Sequence, residues 1–369
     1  MRKRLSQLLG AALFTLLALE ISLQGLFWAR SGTVLATGAG RPPMHAVHSS
    51  SGFFNRPNLD VEHTTSEFRS RIFTNSEGLR VPRRTMEYEH AKASDAMRVL
   101  LLGPSFAFGW GVNYEQSFAA RLAEWLDIEV INAGVPALGP FPQLKWYEAI
   151  GRSYEVDAVI QIVHGSPEVS RTFDNYSVDE RGYLVANDRT ALDRVIALGK
   201  RSGLLFYAWV ISTRLAPALP VEIYGAGRKI RAPRPFAGQD AGVRESLAYY
   251  VEFRDRVSAE GAIPLVVFAP LPYIVHQADA ARWRHLGVID VPAHAEFNRR
   301  FCAVVTSTVL PCVDLTAPLR AAARSGAERL YHWLDIHWTP RGNDVAARAT
   351  ADVLKTRGFP ARILHSRRP

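Results

Sequence analysis

The sequence predicts an α/β architecture: a parallel sheet covered by helices on both faces. Three observations predict it. From residue 98 onward, strand-like apolar runs alternate with segments of helical spacing. The strand-like runs are continuous rather than alternating, as expected of strands buried on both faces. Several of them end at a glycine or a turn residue, the rim where such sheets gather their ligands.

In order, RVLLLG (98–103) is the first strand, EQSFAARLAEWL (115–126) a helix and IEVINAG (128–134) the second strand. PQLKWYEAIGRSY (142–154) has helical spacing, and VDAVIQIVHG (156–165) is the third strand. VRESLAYYVEFRDRVSAEG (243–261) is a helix with a glycine stop, AIPLVVFAP (262–270) the fourth strand and LPCVDL (310–315) a short fifth. GNDVAARATADVLKTRG (342–358) is the closing helix. This rhythm implies a parallel sheet. Residues 170–242 break it. There GLLFYAWVI (203–211) is apolar but too short to cross a bilayer, and proline-rich basic sequence follows, so the segment reads as an insertion or lid whose aromatics join the core.

The amino terminus carries MRKR and then an apolar run from Leu5 to Trp28, interrupted mainly by Glu20 and Gln24. Its length suits a bilayer, and the positive start holds that end in the cytoplasm. The small residues of TVLATGAG lie well past the core of the run, which favours an uncleaved anchor over a removable signal peptide. The expected layout is an anchor (1–30), a Gly/Pro/Ser/Asn-rich tether (31–60), an irregular layer (61–97), the main domain (98–358, with the insertion) and a basic tail (359–369).

With 369 residues, 48% hydrophobic and 21% charged, the chain is of ordinary globular composition, which excludes a disordered class. The net charge of +9 is dispersed among Arg2-Lys3-Arg4, the Arg80 to Arg84 region, Arg228 to Arg234 and Arg367-Arg368. No basic stripe is interleaved with aromatics, so nucleic acid is not an expected partner, and a membrane surface or anionic polymer fits better. Cys302 and Cys312 match no zinc motif. A disulfide in an oxidising compartment and two buried thiols both remain open.

Chemistry centres on VLLLGPSFAFGWGV (99–112). Serines are common in turns, but Ser105 follows a buried strand, where the start of a helix aims backbone N–H groups at an anion. A serine hydroxyl needs a base to become a nucleophile. YHWLDIHWTPRGND (331–344) offers one: His337, with Asp335 two residues before it to fix the imidazole, and Pro340 suited to a first helical turn. Two other readings stand beside this one. Asp335 can be a helix cap near a half-buried His337, or His332, Asp335 and His337 can bind a metal.

These blocks resemble the SGNH hydrolases, also called GDSL esterases. Gly103-Pro104-Ser105 followed by FAFGWGV is similar to their Gly-Asp-Ser block, NAGVPALG with Gly134 to the second, and Asp335-Ile336-His337-Trp338-Thr339-Pro340 to the fourth. The single residue between Asp and His, with HWTP, resembles relatives that acetylate exopolysaccharides. FTNSEGLR (73–80) resembles the lead-in of membrane-anchored bacterial members.

The resemblance covers about 98–358 and implies a three-layer α/β/α sandwich with a flavodoxin-like five-stranded parallel sheet. It implies Ser105 as nucleophile, His337 as base, Asp335 as its orienter, and an oxyanion hole from the N–H groups of Ser105 and Gly134. The third-block asparagine is absent from VHGSPEVSRTFDN (163–175), where Ser166 is the substitute donor, and Pro104 replaces the aspartate beside the serine. The implied function is a serine acyl hydrolase, an esterase or carbohydrate deacetylase, acting on a small ester or acylated glycan without a cofactor. It would sit in a bacterial inner membrane with its catalytic domain in the periplasm or outside the cell. An O-acyltransferase acting on an exopolysaccharide and a non-catalytic glycan-binding or envelope-assembly protein are the alternatives.

Overall fold

The computed structural model describes residues 2–31, 34, 42–65, 67–92, 97–164, 176–187, 195, 198–199, 201–215, 241–278, 280, 283, 291–308, 310–326 and 328–356. The first helix, α1 (Arg2–Ser31), is long and apolar enough to cross a membrane over Lys3–Ala29. Leu8, Leu13 and Phe14 stand about 70% exposed along it.

A hairpin follows, β1 (His45–His48) with β2 (Gly52–Asn55). The region expected to be a tether therefore holds a folded element. Its composition hides the pair Phe53-Phe54, both buried, with Phe54 stacked on Trp146 at 4.8 Å. The region expected to be irregular holds three strands: β3 (Asp60–Thr64), β4 (Arg69–Thr74) and β5 (Arg80–Val81). Next come β6 (Arg98–Gly103), α2 (Ser105–Phe108), α3 (Phe118–Leu126), β7 (Glu129–Gly134), α4 (Pro140–Ala149) and β8 (Ala158–His164). The insertion contributes a small hairpin, β9 (Tyr176–Val178) with β10 (Leu184–Ala186), and α5 (Gly203–Leu215). The chain continues with α6 (Ala241–Ala259), β11 (Ile263–Ala269), α7 (Pro272–Val275), α8 (Val291–Ser307), β12 (Cys312–Asp314), α9 (Thr316–Ser325) and α10 (Pro340–Thr356). The basic tail lies outside the described residues.

The central sheet has eight strands in the order β12-β11-β8-β6-β7-β5-β4-β3. The first five are parallel. Their order along the chain is second, first, third, fourth, fifth, the flavodoxin-like winding. The last three strands join antiparallel at the edge of β7. The fold is thus the expected three-layer sandwich with its sheet extended on one side.

Alternation along β6 sorts the core. Val99 and Leu101 face a cluster with Leu122 of α3 and Ala347 and Leu354 of α10. Leu100 and Leu102 face Leu144 of α4, Phe253 of α6 and Phe301 of α8. Successive strand side chains point to opposite faces, so a strand apolar at every position must be covered twice. Cys302 on α8 and Cys312 at the start of β12 are joined as a disulfide, with Cα atoms 5.2 Å apart.

Arg80 of β5 is fully buried. Its guanidinium donates to the carbonyls of Phe108, Gly109 and Val112 at 2.7–2.9 Å and lies over the Phe108 ring. One planar fork thereby satisfies three carbonyls in the turn after Ser105. The added edge is tied directly to the segment that carries the serine.

Candidate active site

β6 and β8 are neighbours that lead into the sheet in opposite directions, the switch point where α/β sheets open a crevice. Ser105 stands there as the first residue of α2. Gly103, with φ +148°, makes the turn, and a Cβ on it would lie 2.7 Å from Ala107 Cβ. Pro104 sits at the helix cap, where its carbonyl accepts from Phe108 N–H and its missing N–H leaves no intrahelical gap. The proline is compatible with a serine presented at the start of a helix.

Ser105 Oγ lies 2.5 Å from His337 Nε2. On the other side of the ring, His337 Nδ1 hydrogen-bonds Asp335 Oδ1, which also accepts the His337 backbone N–H at 3.0 Å. Trp110 Nε1–H donates to Asp335 Oδ2 at 3.3 Å. The arrangement sets the tautomer: Nδ1 carries the proton toward the carboxylate, and Nε2 is left to accept from the serine. Burial pushes the Asp335 carboxyl up, but the charge and hydrogen bonds of His337 outweigh it and hold the carboxyl well below its ordinary range. It stays ionised wherever the ring beside it needs a counter-charge.

The loop carrying Asp335 and His337 is closed at its base. Tyr331 and Trp338 form an antiparallel bridge, His332 N–H donates to the His337 carbonyl, and Thr339 N–H donates to the Leu330 carbonyl. Glu67, between β3 and β4, accepts from the backbone N–H groups of Trp333 and Leu334 at 2.5 and 2.7 Å. Glu67 and Trp110 are positioning residues that sequence reasoning missed. Trp110 lay inside the quoted serine block, whereas nothing local marks Glu67, which meets its partners 266 and 267 residues away. Replacing Glu67 with Ala leaves two amides without their carboxylate. It is expected to slow acylation of Ser105 by roughly 10–10²-fold through misplacement of His337. A time course with an active-serine probe measures this, and Glu67→Gln should recover part of the rate.

Gly134, expected to offer its N–H to an oxyanion, has that N–H donating to Asn132 Oδ1 at 2.9 Å. What Gly134 supplies is room: a Cβ there would lie 2.3 Å from Phe108 N. Asn132 Nδ2 meanwhile donates to the Ala107 carbonyl, fastening β7 to α2. Among the described residues no three His, Cys, Asp or Glu side chains are grouped so as to hold a metal ion. Of the expected donors, Ser105 N–H remains at the start of α2, and Ser166 lies outside the described residues.

Two further histidines flank the site. His164 ends β8 and meets the Phe106 ring at 5.2 Å; Phe106 also touches the rings of His337 and Trp338. His332 is 8% exposed, and its Nε2 has no hydrogen-bond partner. Burial, reinforced by His337, pushes each down to about 4, although Asp335 pulls His332 the other way. A histidine held neutral in the fold costs stability once the unfolded chain takes up its proton. The penalty begins below about pH 6.5 and is complete near pH 4. For His332 it amounts to about 3 kcal/mol. His332→Phe is therefore expected to flatten the acid limb of a denaturant-unfolding series between pH 7 and 4. An unchanged limb would remove His332 from that account.

Residues 232–365 match the family described as "SGNH hydrolase-like domain, acetyltransferase AlgX". No curated protein matches the chain. Among solved structures, the chain is similar to a protein of the G-D-S-L lipolytic family from Desulfitobacterium hafniense, at 16% identity and a TM-score of 0.39, covering 70% of this chain and 99% of that one. It is also similar to an acetylxylan esterase from Geobacillus stearothermophilus, solved as a catalytic mutant, at 13% identity and a TM-score of 0.38, covering 73% and 98%.

Proposed function

We propose that this chain, which carries an SGNH hydrolase-like domain, is a serine acyl hydrolase acting on an acylated glycan or small ester at the cell envelope. One observation carries the reading: Ser105 Oγ, His337 and Asp335 stand in line, with Nε2 2.5 Å from the hydroxyl and the carboxylate on the far side of the ring. A protein that only bound glycan would have no use for this alignment.

In the reaction, Ser105 Oγ attacks the acyl carbonyl carbon while its proton passes to His337 Nε2. The developing imidazolium is stabilised by Asp335. The carbonyl oxygen becomes an oxyanion facing the Ser105 N–H at the start of α2. As the carbonyl re-forms, the bond to the alcohol breaks and the alcohol oxygen takes the proton from His337. The acyl group is then an ester of Ser105. Water, deprotonated by His337, attacks that ester; the bond between the acyl carbon and Ser105 Oγ breaks, Oγ takes the proton back from His337, and the acid leaves.

The match to a family described as an acetyltransferase favours a second reading, in which a carbohydrate hydroxyl replaces water as acceptor. Both readings share the acyl-enzyme, and the acetyl group is the acyl unit this match favours. A periplasmic site is supported by the apolar α1 behind a basic start and by the Cys302–Cys312 disulfide.

The test is to give the full-length protein an acetyl ester donor, with and without a polysaccharide acceptor. Free acetate released at the same rate in both supports the hydrolase. Acetylated polymer appearing at the expense of acetate supports the transferase. No labelling by a fluorophosphonate probe and no turnover would sink both.

A further inference from the structure

Glu20 is a carboxylate in the middle of an apolar helix, a position that demands a partner. Its partner is the start of α5. The Glu20 carboxylate accepts the backbone N–H groups of Gly203 and Leu204 at 2.7 and 2.9 Å and the Ser202 hydroxyl at 2.9 Å. Gln24, one turn along α1, donates both to Glu20 Oε1 and to the Arg201 carbonyl at 2.7 Å. The first N–H groups of a helix have no intrahelical acceptor and carry positive dipole, so the carboxylate and the helix end satisfy each other. The helices also pack closely. A Cβ on Gly203 would lie 2.9 Å from Leu23 Cβ, and Phe27, 3% exposed, meets Phe206 edge-on at 5.6 Å.

Ahead of Arg214 near its end, α5 shows apolar side chains to its surroundings. Residues 203–211 contain no charged side chain. Leu205 and Ile211 are 56% and 52% exposed, as are Val195 and Leu198 just before the helix, each at 63%. An apolar helical stretch belongs in a core or in lipid, and the exposed apolar side chains of Leu205 and Ile211 are not covered by the core. Its 13 residues span about 20 Å, too short for the roughly 30 Å of a hydrocarbon layer. Its exposed apolar surface continues the exposed surface of α1.

We infer that α5 is a second membrane-seated element: it lies in the leaflet that holds the carboxyl-terminal half of α1, beside that helix and without crossing, and Glu20 fixes it there. The occupant of its apolar face is lipid hydrocarbon. This rests on α1 being a retained anchor, and it gives α5, within the stretch read as an insertion or lid, a place at the bilayer.

The two cysteines are paired with each other, so single labelling sites can be introduced. The full-length chain is labelled with a fluorophore at Leu205→Cys or Ile211→Cys, with Leu13→Cys on α1 and Val47→Cys on β1 as references. Each is reconstituted into phosphatidylethanolamine–phosphatidylglycerol vesicles with and without brominated acyl chains. Bromine is expected to quench the labels at 13, 205 and 211 and to leave that at 47 bright. Quenching at 13 with 205 and 211 as bright as 47 overturns the inference while leaving the anchor intact. No quenching at 13 overturns the anchor reading and the inference with it. Copy-to-copy disulfides through the cysteine introduced at 205, without quenching there, would assign the face to a second copy and also overturn it. Glu20→Ala should reduce quenching at 211 and not at 13; an unchanged signal at 211 removes Glu20 from the proposal.

Discussion

Ser105→Ala is expected to abolish fluorophosphonate labelling and to lower ester turnover by roughly 10⁴- to 10⁶-fold. The residue loses the oxygen placed 2.5 Å from His337 Nε2, while the backbone N–H at the start of α2 remains. His337→Ala should slow labelling severely, and the double variant should be little worse than either single one, because the three groups act as a unit. Alanine suits a first helical position, so the melting temperature should barely move. A Ser105→Ala protein that still turned over ester at the wild-type rate would place the chemistry elsewhere.

Gly134→Ala is expected to cost about 3 kcal/mol or more in folding stability, at the upper end for overpacking. The new methyl would be 2.3 Å from Phe108 N and 2.7 Å from the Ala107 carbonyl carbon, backbone atoms that no rotamer change can move aside. Relief requires α2 to shift away from β7, and Ser105 is the first residue of α2. Labelling should therefore fall even in molecules that remain folded. Gly139→Ala is the matching control: its nearest neighbour would be Pro142 Cδ at 4.0 Å, so chemical denaturation should find it near neutral. Equal midpoints for the two variants would refute the steric account of Gly134.

The parallel half of the sheet was legible because its signal is local. RVLLLG became β6 over the same six residues, and the other four runs became β7, β8, β11 and β12 with shortened ends. The serine and the Asp–His pair were legible for the same reason, each lying within a few residues of a strand end or helix start. The antiparallel half was not. In β4 the buried positions are Ser70, Ile72 and Thr74, so its period-two face is largely polar and no hydrophobic alternation shows. Arg80 read as one of a basic cluster, because nothing in its neighbourhood reveals that three carbonyls of the serine turn would surround it. Glu20 read as an interruption of an apolar run, since its partner lies 183 residues on. Gly134 stands out in its block, but nothing in the sequence shows that a Cβ there would meet the backbone of Phe108. A glycine required for its N–H and one required for its missing side chain look the same in a sequence.

The order of strands also governs how a site is born from a chain that emerges amino end first. β3, β4 and β5 leave the ribosome before β7, the strand they border, and Arg80 has no carbonyls to receive it until the turn after Ser105 exists. Pairings this distant in sequence form late, because the intervening chain must first be gathered in. His337 arrives later still, 232 residues after Ser105, just ahead of α10. Through nearly all of the chain's synthesis Ser105 therefore has no imidazole beside it. The site is thus assembled only when α10 has been made and can pack, so its two halves come together as the sandwich closes.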